Sequence, residues 1–156
     1  MKKAISTLTV VVCLMFIAGA ASAQILPEIM IKMRKAGYDF SAWNMGKIRA
    51  MVEYNPASFN KDQVVAAANA IAAIANSGMS ELYGPGTEKD VGGQKTTVKP
   101  EFFQEKEQVK KLTLANIEEA NKLQQIASTG DIKAISAQLN KLTDSCQACH
   151  SRYKWD

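Results

Sequence analysis

The chain has 156 residues, 19 of them basic and 15 acidic, with three cysteines and a single histidine. That length suits one domain, and the mixed charge, which contains no basic run, excludes a nucleic-acid-binding surface. With one histidine, any site that needs two imidazoles is excluded as well.

Met1-Lys2-Lys3 is a short cationic start, Leu8 to Ala18 an apolar run, and Ala21-Ser22-Ala23 a small-residue cleavage site. Together they read as a secretory signal peptide over residues 1–23. The apolar run falls short of the ~20 residues that span a bilayer, so cleavage after Ala23 predicts a periplasmic mature chain, residues 24–156, with no stable membrane anchor. Cys13 leaves with the signal, and no disulfide framework remains to be explained. Losing Lys2 and Lys3 also brings the basic residues from 19 down to 17, close to neutrality.

The rest is helical in pattern. Segment one starts at Pro27-Glu28, a proline and an acid placed as at a helix start, and runs to about Tyr54. Ile29, Met30, Met33, Gly37, Phe40, Ile48, Met51 and Val52 follow three-to-four spacing along it, with the methionines read as core filler. Segment two takes Asn60 as N-cap with Gln63 three residues on, continues through Val64, Ala68, Ile71 and Ala75, and stops at Ser77-Gly78. Residues 78–99, broken by Gly84-Pro85-Gly86 and Gly92-Gly93, form a long connection. Segment three starts at Pro100-Glu101 and reaches Ser128, with Gly130 as its stop. Segment four opens on Asp131 and carries Ile132, Ile135, Leu139, Leu142, Cys146 and Cys149 at unbroken spacings of three and four, a buried seam. No alternating strand pattern and no internal repeat occurs, so the fold class is all-α, an antiparallel four-helix bundle.

Segment four ends in Cys146-Gln147-Ala148-Cys149-His150, a C-x-x-C-H haem attachment pattern. Two thiols one turn apart can each form a thioether to one haem vinyl group, and the next residue then lies under the porphyrin, where its imidazole can bind iron. A zinc site would need about four ligands, and two thiols with one imidazole leave that shell short. A redox Cys-x-x-Cys belongs at the start of a helix, where the dipole lowers a thiol pKa; this pair ends one. Two structural cysteines followed by a chance histidine are the third competing reading. At ~100° per residue His150 lies about 40° round from Cys146 and so faces inward, with the haem inside one end of the bundle against segment one.

A helical bundle with C-terminal C-x-x-C-H resembles the cytochrome c′ family, the class II c-type cytochromes, over essentially the whole mature chain. The resemblance implies one covalently bound haem c on Cys146 and Cys149, with His150 as axial iron ligand. It also implies that Arg34, in Met33-Arg34-Lys35-Ala36, bonds a haem propionate and that Tyr38, four residues on, covers the open haem face. Leu82-Tyr83-Gly84-Pro85-Gly86-Thr87-Glu88 is similar to the family's aromatic-Gly-Pro-Gly-Thr stretch, whose aromatic, here Tyr83, shields the haem. Lys154 matches the base that ends the family's pattern one turn beyond the histidine.

Low-spin relatives of the cytochrome c556 kind carry a Met sulfur where Tyr38 stands, and a neutral phenol is a poor ligand for ferrous iron. Five-coordinate, His150-ligated iron in an apolar distal pocket is therefore expected. The family's roles would follow: binding nitric oxide and carbon monoxide while largely excluding dioxygen, and single-electron transfer with small redox proteins. The alternative is a low-spin electron carrier with a sixth ligand. No enzymatic activity is expected, because the one histidine is used and none is left for peroxidase acid/base work. The resemblance further implies a homodimer through the first two helices.

Overall fold

The computed structural model describes residues 25–155. The expected signal peptide over residues 1–23, with Cys13, and the expected mature start at Gln24 lie outside these residues. Pro27 opens helix α1 (Pro27–Arg49) at a position whose missing N–H would have had no helical partner, with Glu28 in the first turn at the positive end of the dipole. The helix then widens into one π-helical turn, Ala50–Tyr54, closed by the Asn55 N–H on the Ala50 carbonyl at 2.8 Å. Pro56 ends it, since the residue before a proline is driven out of helical backbone, and Asn55 stands at φ −141°, ψ 72°.

Helix α2 (Lys61–Ala75) begins as its sequence indicates, with the Asn60 side-chain oxygen accepting from the Gln63 N–H at 3.0 Å. Gly78 turns the chain away at φ +79°, in the left-handed region. Segment three is divided rather than continuous: α3 (Glu101–Gln104) and α4 (Lys106–Ala127) are separated at Glu105, whose φ −96° and ψ 51° break the helix. The cause is long-range. The Glu105 carboxylate accepts from Arg152 Nε at 2.9 Å and Tyr153 Oη at 2.6 Å, and this draws the chain toward the end of the last helix. Helix α5 (Ile132–Tyr153) is capped by Asp131, whose carboxylate accepts from the Lys133 and Ala134 N–H groups at 3.0 and 3.1 Å.

Helices α1, α2, α4 and α5 form an antiparallel four-helix bundle. The directions follow from pairs that run in opposite order: Asn69 with Gln124 and Asn76 with Asn121, then Glu119 with Gln138 and Asn116 with Ser145. Among the described residues no helix is long and apolar enough to cross a membrane. Ile48, Val64, Leu123, Ile135 and Leu139 are fully buried between the helices, each stabilising the fold by about 1.5–3 kcal/mol. Ala67, Ala68 and Ala120 leave room for close helix approach.

The apolar positions of α1 do not all face this core. Ile31 and Ile48 are buried, whereas Ile29, Met33, Phe40 and Trp43 are exposed. Three-to-four spacing is satisfied by two different faces of one helix, and the outer face is apolar too. Of the methionines read as filler, only Met51 is buried, while Met33 is exposed. Gly37 has a separate reason to lack a side chain, since a Cβ there would come within 2.8 Å of Met79 Cε. The short 3-10 turn Met79–Leu82 can therefore rest on α1.

Residues 78–99 are a connection, as expected, and they are anchored at both ends. Arg34 on α1 holds the first part. The last part is stitched to the chain's end by the Lys99 N–H on the Tyr153 carbonyl and the Trp155 N–H on the Thr97 carbonyl, both at 2.8 Å.

Candidate haem site

The seam of α5 is buried at Ile135, Leu139 and Leu142 and becomes half-buried at Cys146 and Cys149. Both thiols are unpaired, one turn apart. Asn116 of α4 donates to Cys146 Sγ at 3.3 Å and to Ser145 Oγ at 2.9 Å, so the first thiol is held by a neighbouring helix. Burial pushes both thiols above their usual range; bonds from Asn116 and Ser145 oppose this at Cys146, and the Cys146 charge adds to it at Cys149.

His150 departs from its expected placement, because it is exposed rather than inward-facing. Tyr153 explains the difference. One turn on and nearer the centre of the seam, Tyr153 takes the inward position and is 2% exposed, while His150 lies on the seam's flank. There His150 shares a groove with Lys99, Gln147, Ser151, Lys154 and Trp155. Partial burial, then the Lys154 charge, hold its imidazole below the usual pKa, favouring the neutral form that can bind a metal. Lys154 itself is exposed, and its backbone N–H donates to the His150 carbonyl at 3.0 Å.

Across from the thiols, α1 supplies Arg34 and Tyr38. Arg34 is buried and committed to the connection: Nη1 donates to the Leu82 carbonyl at 3.1 Å, and Nη2 to the Thr87 carbonyl at 3.2 Å and Thr96 Oγ1 at 2.7 Å. Three of its five N–H donors are thus used. Tyr38 is 45% exposed. Its hydroxyl accepts from Tyr83 Oη at 3.3 Å. Burial of that hydroxyl raises its pKa; the Tyr83 bond opposes the rise, and the Cys149 and Cys146 thiols add to it. One region of space therefore brings together Tyr38, Tyr83 and both cysteines, while His150 and Lys154 lie on the other flank of α5.

Tyr83 rests on residues the sequence reading did not single out. Its ring stacks on Phe102 at 4.3 Å between centroids, Phe102 meets Tyr153 edge-on at 5.8 Å, and Tyr153 bonds Glu105. The adjacent pair Phe102-Phe103 just after a proline was a visible signal for this cluster. Asn116 gave none, since a lone Asn on a helix is ordinary.

The donor set suits a covalently held haem. Two free, half-buried thiols can be alkylated where they stand, and burial holds the adjacent imidazole toward its neutral form. Among the described residues no group of three or more His, Cys, Asp and Glu converges to hold a bare metal ion, which fits thioether attachment better than a thiolate metal site. Residues 29–154 match the protein family described as cytochrome c′. A cytochrome c′ of Allochromatium vinosum is 48% identical over 137 residues, covering 88% of this chain and 87% of that protein. The structure superposes on a cytochrome c′ described as having an unusual ligand-controlled dimer dissociation, with a TM-score of 0.82 and 48% identity, over 86% of this chain and all of the other. The cytochrome c′ of Thermochromatium tepidum gives 0.81 at 50% identity with the same coverage. Four antiparallel helices, a terminal C-x-x-C-H and this degree of identity along nearly the whole bundle have one common explanation: the chain belongs to the cytochrome c′ family, whose members bind covalently attached haem c.

Proposed function

We propose that this protein is a periplasmic gas-binding haem protein with five-coordinate, high-spin iron, which captures or carries nitric oxide, binds carbon monoxide and can pass single electrons to small redox proteins. In this reading Cys146 and Cys149 form the thioethers and His150 is the axial ligand. Haem held there would supply an iron able to bind a diatomic molecule and to change by one electron. Asn116 orients the first thiol for attachment. The two uncommitted N–H groups of Arg34 are available to a propionate, Tyr83 shields the pocket, and Lys154 stands beside the His150 flank.

The observation that carries the reading is Tyr38. A Met at that place on α1 would offer a sulfur to the iron; a neutral phenol offers bulk and a poor ligand. It leaves a diatomic molecule as the natural occupant, and the pocket contributes no histidine to stabilise bound dioxygen.

The exposed stripe on α1, with Leu26, Ile29, Met33, Phe40 and Trp43 at spacings of three, four or seven, supports a homodimer. A ligand-controlled dimer dissociation is described for a relative; Tyr38 itself lies about 200° round α1 from Phe40 at ~100° per residue, away from this stripe.

Absorption spectra of the purified protein, ferric and ferrous, with and without carbon monoxide, test the reading. A high-spin ferric spectrum and a carbon monoxide adduct are expected. Low-spin iron that refuses carbon monoxide would establish the electron-carrier alternative with a sixth ligand.

A further inference from the structure

Ligand access in the proposed function turns on the Tyr38 ring, and that ring is the least anchored part of the site. Among the described residues the one side-chain hydrogen bond at its hydroxyl comes from Tyr83, at 3.3 Å. Tyr83 is the opposite case. The Arg34 guanidinium carbon lies 4.4 Å from its ring centroid and the Phe102 ring 4.3 Å; two groups so close to one centroid must take opposite faces. Each clamp is fixed in turn. Arg34 is held by three bonds to Leu82, Thr87 and Thr96, and Phe102 is held edge-on by Phe103 at 5.4 Å and by Tyr153 at 5.8 Å.

We infer that Tyr83 is a positioning residue: its clamped hydroxyl latches the Tyr38 ring across the ligand face, and opening of this hydrogen bond is what admits a neutral diatomic molecule. The inference rests on the reading of Tyr38 given above. Burial raises both phenols above their usual range, so the latch is a bond between neutral partners. Such a bond is worth little net, which suits a gate that sets a rate without closing the site.

The test is carbon monoxide association with the ferrous holoprotein, measured by stopped flow for Tyr83→Phe, Tyr38→Phe, their double variant and Tyr38→Ala. Each single Phe variant should bind roughly three- to tenfold faster, the span of one neutral hydrogen bond. The double variant should be no faster than either single one, because both remove the same bond. Tyr38→Ala should be the fastest. A second readout needs no gas: crystals of the ferric Tyr83→Phe protein should show the Tyr38 ring in more than one rotamer, where the unmodified protein shows one. Thermal melting should stay in place, since Tyr83→Phe keeps the ring between Arg34 and Phe102. Faster binding by Tyr38→Ala with no effect of Tyr83→Phe, or additive effects in the double variant, would overturn the latch and leave Tyr38 as the gate. If Tyr38→Ala is also without effect, the reading of Tyr38 falls first, and the latch with it.

Discussion

At the end of the bundle formed by the last turns of α1 and the first turns of α5, the two helices bond each other directly. Arg49 Nη2 donates to Thr143 Oγ1 at 3.0 Å, Ser136 donates to Glu53 at 2.9 Å, and Arg49 pairs with Glu53 at 3.3 Å, around a core of Ile48, Val52, Ile135 and Leu139. At the opposite end α1 and α5 share no hydrogen bond among the described residues. They are joined through the 78–99 connection and the residues that follow it: Arg34 to Leu82, Thr87 and Thr96, Tyr83 to Phe102, and Phe102 to Tyr153. One end is filled by aliphatic side chains of its own. The other is framed by polar and aromatic contacts around two thiols, which leaves its packing to be completed by the group those thiols hold. The two ends therefore draw their stability from different sources, one from its own aliphatic packing and the other from the attached group.

Replacing Cys146 and Cys149 together by Ser should produce the largest effect, on the order of 5 kcal/mol, as for a large cavity left in a core. Hydrogen exchange would show where the loss falls. Amides near Arg34 and Tyr153 should lose protection while those near Leu123 and Leu139 keep it; uniform loss would mean that the two ends are one cooperative unit. Leu139→Ala probes the opposite end. It should cost about 2–5 kcal/mol and leave the absorption spectrum of the holoprotein unchanged.

Phe40→Lys comes next, on the outer face of α1. Phe40 is 53% exposed in the single chain, so the substitution should hardly change the stability of a monomer. Burying a charge in a dimer seam is costly, and sedimentation should report a shift from dimer to monomer. An unchanged dimer would move the interface elsewhere.

Where local rules decide, the fold was legible. Asn60 and Asp131 each cap the helix they were read to cap, Gly78 ends α2 through its positive φ, and the seam of α5 is buried from Ile135 to Leu142. Misreadings arose where distant residues decide. Glu105 breaks a helix because of Arg152 and Tyr153, 47 and 48 residues away. Arg34 is bound to Thr96, 62 residues on, a commitment that no local spacing displays. The outward turn of Ile29, Met33 and Phe40 was hidden because an apolar three-four pattern fits a core face and an outer face equally. His150 was placed inward by angle alone, when Tyr153 competes for the same direction. The attachment motif itself was plain, because its chemistry is written within five consecutive residues.

Glu105→Gln is the smallest expected effect and bears directly on what holds the framed end. The Tyr153 hydroxyl bond first, then Arg152, keep the Glu105 carboxyl below the usual carboxylate range, with burial opposing them. A depressed folded-state pKa supplies stability that is fully present above the unfolded value of about 4.3 and is lost as the pH falls through the lower folded value. Unmodified protein and Glu105→Gln should therefore differ by a constant amount near neutrality and converge on acidification, as read from melting against pH. Glu119 is depressed as well, chiefly by bonds from Lys122 and Gln138, so an acid slope remains in the variant. That residue ties α4 to α5 away from the thiols. Hydrogen exchange at low pH then separates the two contributions: in the unmodified protein both regions loosen together, and in Glu105→Gln only the Glu119 region should still respond to acid. If the Tyr153 and Lys99 amides keep their acid sensitivity without Glu105, a group other than this carboxylate ties the chain's end to the bundle.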